Sequence, residues 1–188
     1  DSFGDLLLCG ETGSNNIPVP NGYDQTFNSP GYWDIYVAKL SYNGATLSWG
    51  TYIGGSNGDK GWDIALDISD NVIIAGYTYS PDIPVPNGYD NSFGGTADIY
   101  VAKLSSTGNS LMWGTYIGGT NYDEAYDLEV NSSGNIFLIG DTISADISVP
   151  GGYDHSYNGG TYDIYMAKLS SAGNSLLWGT YLGGSNDD

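Results

Sequence analysis

The sequence predicts an all-β fold built from three tandem units, each with four short antiparallel strands. One heptapeptide, Asp-Ile-Tyr-Val-Ala-Lys-Leu, begins at Asp34, returns at Asp98, and returns again at Asp163 with Met166 in place of valine. The copies are 64 and 65 residues apart. Downstream of each copy lies Trp-Gly-Thr-Tyr, then Ile or Leu, then Gly-Gly. No run shows helical spacing, and a long internal repeat indicates a repeat architecture.

The second unit shows how each repeat divides into strands. Residues 62–68 alternate between apolar and other side chains, which predicts a half-buried strand with Trp62 and Ile68 on the same apolar side. The other strands of this unit are predicted at residues 71–78, 98–104 and 110–117. Paired Asn and Gly residues between the third and fourth strands of each unit predict hairpin turns.

Four antiparallel strands repeated in tandem are typical of β-propeller blades. The expected blades are residues 1–60, which lack the first strand, residues 61–124 and residues 125–188. Three blades are fewer than the roughly four to eight that close a propeller. The sequence leaves three alternatives open: a fragment of a larger propeller, two copies that complete a six-bladed ring, or a head-to-tail filament.

The repeat resembles the SBBP repeat, a family named for seven-bladed β-propellers. The resemblance covers the whole chain and is carried by residues 131–140, by Ser80-Pro81-Asp82-Ile83-Pro84, and by Ala-Lys-Leu followed by Trp-Gly-Thr-Tyr-Ile-Gly-Gly. It implies a propeller fold in secreted or surface proteins of bacteria and archaea, without assigned catalytic residues. Asp follows Tyr in the long loop where the family usually has Gln, which adds negative charge to one face.

The charge of the chain limits its partners. Its 188 residues include 22 Asp and Glu, 4 Lys and no Arg, for a net charge of −18. Such a chain repels nucleic acid and anionic membranes, and no apolar run approaches the ~20 residues of a membrane helix. We therefore expect neither nucleic-acid binding nor membrane insertion. The resemblance to the SBBP repeat implies an extracellular or cell-surface location.

A long Pro-rich loop lies between the second and third strands of each unit. Its tyrosine and aspartate pairs are Tyr23 and Asp24, Tyr89 and Asp90, and Tyr153 and Asp154. Two interpretations remain open. Aromatic rings beside carboxylates can stack on sugars and bond their hydroxyls, as in a lectin, with Trp33 and Tyr162 just after the loop. Alternatively, each tyrosine plugs the edge of a blade.

Aspartates on the same face raise the question of calcium. The candidate ligand pairs are Asp59 with Asp63 and Asp123 with Asp127. Ca²⁺ takes about six to eight oxygen ligands, although no EF-hand loop is present. Two alternatives need no metal: Asp and Asn side chains cap turns through the backbone, or Asp63 and Asp127 bond neighbouring blades. Ca²⁺ is therefore the one cofactor that the sequence leaves open.

Catalytic signals are weak in this sequence. His155 is the single histidine and has no nucleophile motif near it, and no Gly-rich phosphate-binding pattern is present. The sequon Asn131-Ser132-Ser133 predicts an N-glycosylation site at an exposed turn. The sequence thus favours a non-enzymatic protein with a structural, assembly or adhesion role. Its expected partners are further copies of itself or the remaining blades of a parent chain. The alternative is a glycan-binding propeller assisted by calcium.

Overall fold

The computed structural model describes residues 1–188 and contains eleven β-strands and no helix. The strands are β1 (Leu6–Thr12), β2 (Asp34–Leu40), β3 (Leu47–Ile53), β4 (Asp59–Leu66), β5 (Val72–Thr78), β6 (Asp98–Leu104), β7 (Leu111–Ile117), β8 (Asp123–Val130), β9 (Ile136–Thr142), β10 (Asp163–Leu169) and β11 (Leu176–Leu182). Nothing in this fold is a helix that could cross a bilayer.

The strands form three antiparallel sheets in which neighbours in sequence are neighbours in space. The first sheet is β1-β2-β3, the second is β4-β5-β6-β7, and the third is β8-β9-β10-β11. This arrangement confirms the predicted all-β class, the antiparallel pairing and the blade-like sheets. The second and third sheets begin at Asp59 and Asp123, two residues before the boundaries expected at residues 61 and 125.

The predicted orientation of Trp62 and Ile68 is wrong. A bulge between Gly61 and Asp63 interrupts the pairing of β4 with β5 at Trp62, whose side chain is 48% exposed. An extra residue at a bulge breaks the two-residue alternation of a strand. Ile68 lies past the end of β4, in the turn, and is 88% exposed.

The three sheets stack face to face. In each sheet, one face carries the tryptophan of the Trp-Gly-Thr-Tyr motif (the Trp face), and the other carries the motif's tyrosine (the Tyr face). The Trp face of the first sheet packs on the Tyr face of the second, through Trp49 and Tyr100 among others. The Trp face of the second packs on the Tyr face of the third, through Trp113 and Tyr165. Both faces of β5 and β6 are therefore buried.

The long loop lies fixed along its own sheet. The hydroxyls of Tyr36, Tyr100 and Tyr165 donate to loop carbonyls at 2.7, 2.7 and 2.8 Å, respectively. Gly50 N, in β3, donates to Pro20 O at 3.0 Å, and the other two sheets repeat this bond. These bonds satisfy loop carbonyls that lie against the sheet. They hold the Pro-rich part of each loop against its own sheet.

Candidate functional site

The loop aspartates are acceptors for their own loops. Asp24 accepts hydrogen bonds from Thr26 N at 2.8 Å and from Asn28 Nδ2 at 3.0 Å. Asp90 and Asp154 repeat the first bond, with the amides two residues further on, at 2.8 and 2.9 Å. This is the turn-capping geometry of Asp side chains. The three carboxylates therefore hold the loop in shape.

The loop tyrosines lie beside the next sheet. Tyr23 N donates to Gly108 O of the second sheet at 2.9 Å, and Tyr89 Oη donates to Ser148 Oγ of the third at 3.3 Å. Tyr23 and Tyr89 are each 38% exposed, whereas Tyr153, which has no fourth sheet beside it, is 88% exposed. The structure thus places Tyr23 and Tyr89 at sheet junctions.

Asp59 and Asp123 are buried at the start of the inner strands. Asp59 accepts hydrogen bonds from Gly55 N at 2.8 Å, from Ser80 Oγ at 3.1 Å and from the hydroxyl of Thr78. Burial raises the pKa of Asp59 to about 7, although these hydrogen bonds act in the opposite direction. Asp123 has the equivalent three donors, and burial raises its pKa as well.

Asp63 and Asp127 meet across the junction of the second and third sheets. Asp63 Oδ2 accepts a hydrogen bond from Leu128 N at 2.8 Å. The pKa of Asp127 is raised, first by its hydrogen bond with Asp63 and then by burial. Asp63 therefore pairs with Asp127 rather than with Asp59. No group of three or more His, Cys, Asp or Glu side chains is arranged to hold a metal ion.

Asn131 begins the turn between β8 and β9. Its Oδ1 accepts hydrogen bonds from Ser133 N and Asn135 N, both at 3.0 Å. Ser132 and Ser133 are exposed. The sequon therefore lies on an accessible turn, and its asparagine oxygen also shapes that turn.

A glycine and a tryptophan interlock at each junction between sheets. Gly108, in the turn between β6 and β7, lies so close to the ring of Trp49 that a Cβ there would overlap the ring. Gly173 lies in the same way on Trp113. Trp49 and Trp113 are only 3% and 4% exposed. The positive φ of both glycines, 68° and 69°, further favours glycine at these turns.

The two outer faces of the stack carry the unfilled halves of this contact. Gly44, with the same φ of 69°, has open space where a Cβ would lie, and Trp178 is partly exposed. Leu182 on the outer Trp face is 37% exposed, whereas its counterparts Ile117 and Ile53 are 2% and 0% exposed.

The outer Tyr face, on the first sheet, shows the same contrast. Leu8 is 38% exposed, while its counterparts Ile74 and Leu138 are 0% and 3% exposed. Each outer face is thus a copy of a face that is buried elsewhere in the same chain.

An aromatic cleft of about 410 Å³ opens between the first and second sheets. It is lined by Tyr32, Trp33, Asn57, Gly58, Lys60, Tyr79 and Thr96. Lys60 Nζ lies 3.0 Å from Glu11 Oε2 and 4.8 Å from the centroid of the Trp33 ring. The pKa of Lys60 is raised, chiefly by its hydrogen bond with Glu11. Trp33 is the member of this set that the sequence offers for stacking on a sugar.

The cleft exists because the first repeat departs from the second. The loop before Trp33 is two residues longer than the loop before Ala97, and Gly58 stands where the next repeat has Tyr122. At the second junction Tyr122 stands in the place of Gly58 in the repeat, and its ring lies 5.6 Å from the ring of Tyr77. A comparison of the repeats with one another, in search of differences, would have identified the cleft from sequence.

Comparisons with known proteins add no assignment to this geometry. No protein-family model matches the chain, and no curated protein matches it in sequence.

Proposed function

We propose that this chain is a non-enzymatic, extracellular or cell-surface scaffold of β-propeller blades that works by docking onto a further copy of the same repeat. One observation carries the proposal: the chain makes the same sheet-to-sheet contact twice and presents both halves of a third contact on its outer faces. The stacking supports a propeller because the inner strands β4 and β8 contact each other. The resemblance to the SBBP repeat supports the location.

The outer faces are suited to a head-to-tail contact. Leu6 and Leu8 on the outer Tyr face are 54% and 38% exposed. Trp178, Met166 and Leu182 on the outer Trp face are at least partly exposed. Contiguous apolar surface of this kind marks an interaction site. Since the two faces differ, the contact joins the front of one copy to the back of the next.

A structural role also accounts for the aspartates. Asp59, Asp123 and Asp63 are acceptors for donors within the fold, and the loop aspartates cap their own turns. These hydrogen bonds support a scaffold over a hydrolase. They also favour a scaffold over calcium as the purpose of the acidic residues.

The test is the mass of the purified chain in solution, measured by light scattering over a concentration series. We expect concentration-dependent association in the wild type, and Trp178→Ala should weaken it. The matched control is Leu177→Ala. Leu177 is 46% exposed, and its counterpart Met112 is 41% exposed although the second sheet is covered on both faces, so this position lies outside the contact. A wild type that stays monomeric, or an equal loss in both variants, would refute the docking role.

A further inference from the structure

The aromatic cleft is the feature of the molecule that the repeat does not explain. Tyr32, Trp33 and Tyr79 are 52%, 45% and 37% exposed, although each is large and apolar. The cleft volume of about 410 Å³ falls within the range of roughly 300–1,000 Å³ of small-molecule sites. We propose that the cleft binds a neutral saccharide, with a pyranose ring stacked on Trp33 and Tyr32.

A cationic ligand does not fit this cleft. Aromatic clusters attract cations through their π faces, but Lys60 already holds this position. Its ammonium lies 4.8 Å from the Trp33 centroid and 5.7 Å from the Trp62 centroid. A second cation would be repelled by Lys60.

An anionic ligand does not fit either. The charge of Lys60 is balanced by Glu11, whose carboxylate lies 3.0 Å from the ammonium. The chain as a whole carries a net charge of −18, and a field of this sign lowers the local concentration of anions. A ligand for this cleft should therefore be uncharged.

The polar groups of the cleft suit a ligand with hydroxyl groups. Lys60 has three N–H donors, of which one faces Glu11. Asn57 Nδ2 donates to Tyr79 O at 3.1 Å, and its Oδ1 has no partner within the protein. Thr96 adds a hydroxyl. Sugar hydroxyls both donate and accept, so they can use all three residues, while the apolar face of the ring covers an aromatic side chain.

Gly58 keeps the cleft open. Its counterpart at the second junction is Tyr122, whose ring packs on Tyr77 and Tyr79 of the preceding sheet. A Cβ at Gly58 would make ordinary contacts, 3.7 Å from Tyr79 Cδ2 and 3.8 Å from Tyr32 Cβ. Gly58 is not among the glycines with a positive φ. The substitution Gly58→Tyr therefore fills the cleft with the residue that fills the second junction.

The experiment titrates the whole chain with the methyl glycosides of glucose, galactose and mannose, with their β-linked oligomers, and with glucuronate as the charged probe. Tryptophan fluorescence and saturation-transfer NMR report binding. We expect a neutral glycoside to bind and glucuronate to bind more weakly. Trp33→Ala should weaken binding about tenfold, since it removes a stacking ring. Gly58→Tyr should abolish binding while the melting temperature is kept.

The matched control is Tyr42→Ala, because Tyr42 is 73% exposed and lies outside the cleft. Its affinity should equal that of the wild type. The proposal is overturned if no neutral probe binds, if glucuronate binds best, or if binding survives Gly58→Tyr. It is also overturned if Trp33→Ala changes the mass of the assembly instead of sugar binding, because the cleft would then be a contact between copies.

Discussion

Lysine has a repeated role at the residue scale. Lys39 and Lys103 occupy the same position of the heptapeptide, in β2 and β6, and lie 2.6 Å from Asp1 and 2.7 Å from Asp67, respectively. These aspartates shape the turns beside them. In the third repeat the turn has Asn131, and Lys168 lies 5.0 Å from the Phe137 centroid instead. Three of the four lysines of the chain therefore occupy equivalent positions in the repeat.

Asp67→Asn tests the Lys103 pair. Burial raises the pKa of Asp67, but the hydrogen bonds from Lys103 and Asn71 outweigh it and hold the pKa at about 2. The native pKa lies below that of the unfolded chain, about 3.9. The pair thus stabilises the fold above pH ~4 and loses this effect as the pH falls toward ~2.

We expect Asp67→Asn to lower the free energy of unfolding by about 2 kcal/mol at neutral pH. Urea unfolding measures it, and the difference from wild type should shrink near pH 2. A loss that is the same at both pH values would show that the charge of Asp67 is not the cause.

Asp59 should give the opposite pH dependence. Because burial raises its pKa to about 7, the folded chain holds this proton more tightly than the unfolded chain does. The contribution of protonated Asp59 to the free energy of unfolding is fully present below pH ~4 and declines as the pH rises from ~4 to ~7. We expect the melting temperature to fall over this range, and Asp59→Asn to flatten the fall. Asp90→Asn, in the partly exposed loop, is the control and should leave the slope unchanged.

At the element scale, the hairpin turns between the third and fourth strands of the second and third sheets pack on a tryptophan of the preceding sheet. Gly108 and Gly44 have nearly the same φ, 68° and 69°, in equivalent turns. Of these two glycines, only Gly108 lies on a tryptophan ring of the same chain. Asn tolerates positive φ. Asparagine at each position therefore separates the effect of packing against the ring from the effect of the backbone conformation on stability.

Gly108→Asn should cost about 1–3 kcal/mol more unfolding free energy than Gly44→Asn, because it overpacks the contact with Trp49. Chemical denaturation of both variants measures this difference. Equal losses would mean that the turn conformation, and not the contact with the ring, explains the glycine.

The strands were the most predictable elements. The heptapeptide is read directly as β2, β6 and β10, because each repeat supports the same assignment. Trp62 was mispredicted because a bulge depends on how β4 pairs with β5, and a pattern along one strand does not contain that pairing. Tyr23 and Asp24 suggested a ligand site from their residue types. The bond of Tyr23 with Gly108 depends on how the loop lies against the next sheet, which the sequence does not contain. The bond of Asp24 with Thr26 N is a local turn contact, and the sequence left that alternative open.

At the scale of the whole molecule, charge and docking oppose each other. Two copies that each carry a net charge of −18 repel one another, whereas the faces that meet are apolar. Salt shortens the Debye length from about 10 Å at 0.1 M to about 3 Å at 1 M. We expect added salt to strengthen self-association in the light-scattering experiment. Weaker association at high salt would instead indicate a contact held by ion pairs.

The most direct test of the scaffold is complementation between two blocked chains. Gly44→Asn removes the glycine half of the contact and leaves Trp178 intact, while Trp178→Ala does the reverse. Each variant alone should associate more weakly than the wild type. An equimolar mixture should contain dimers of one chain of each kind, because one intact Gly44 can meet one intact Trp178. If the mixture has the same mass distribution as the separate variants, these faces do not dock, and the account is contradicted.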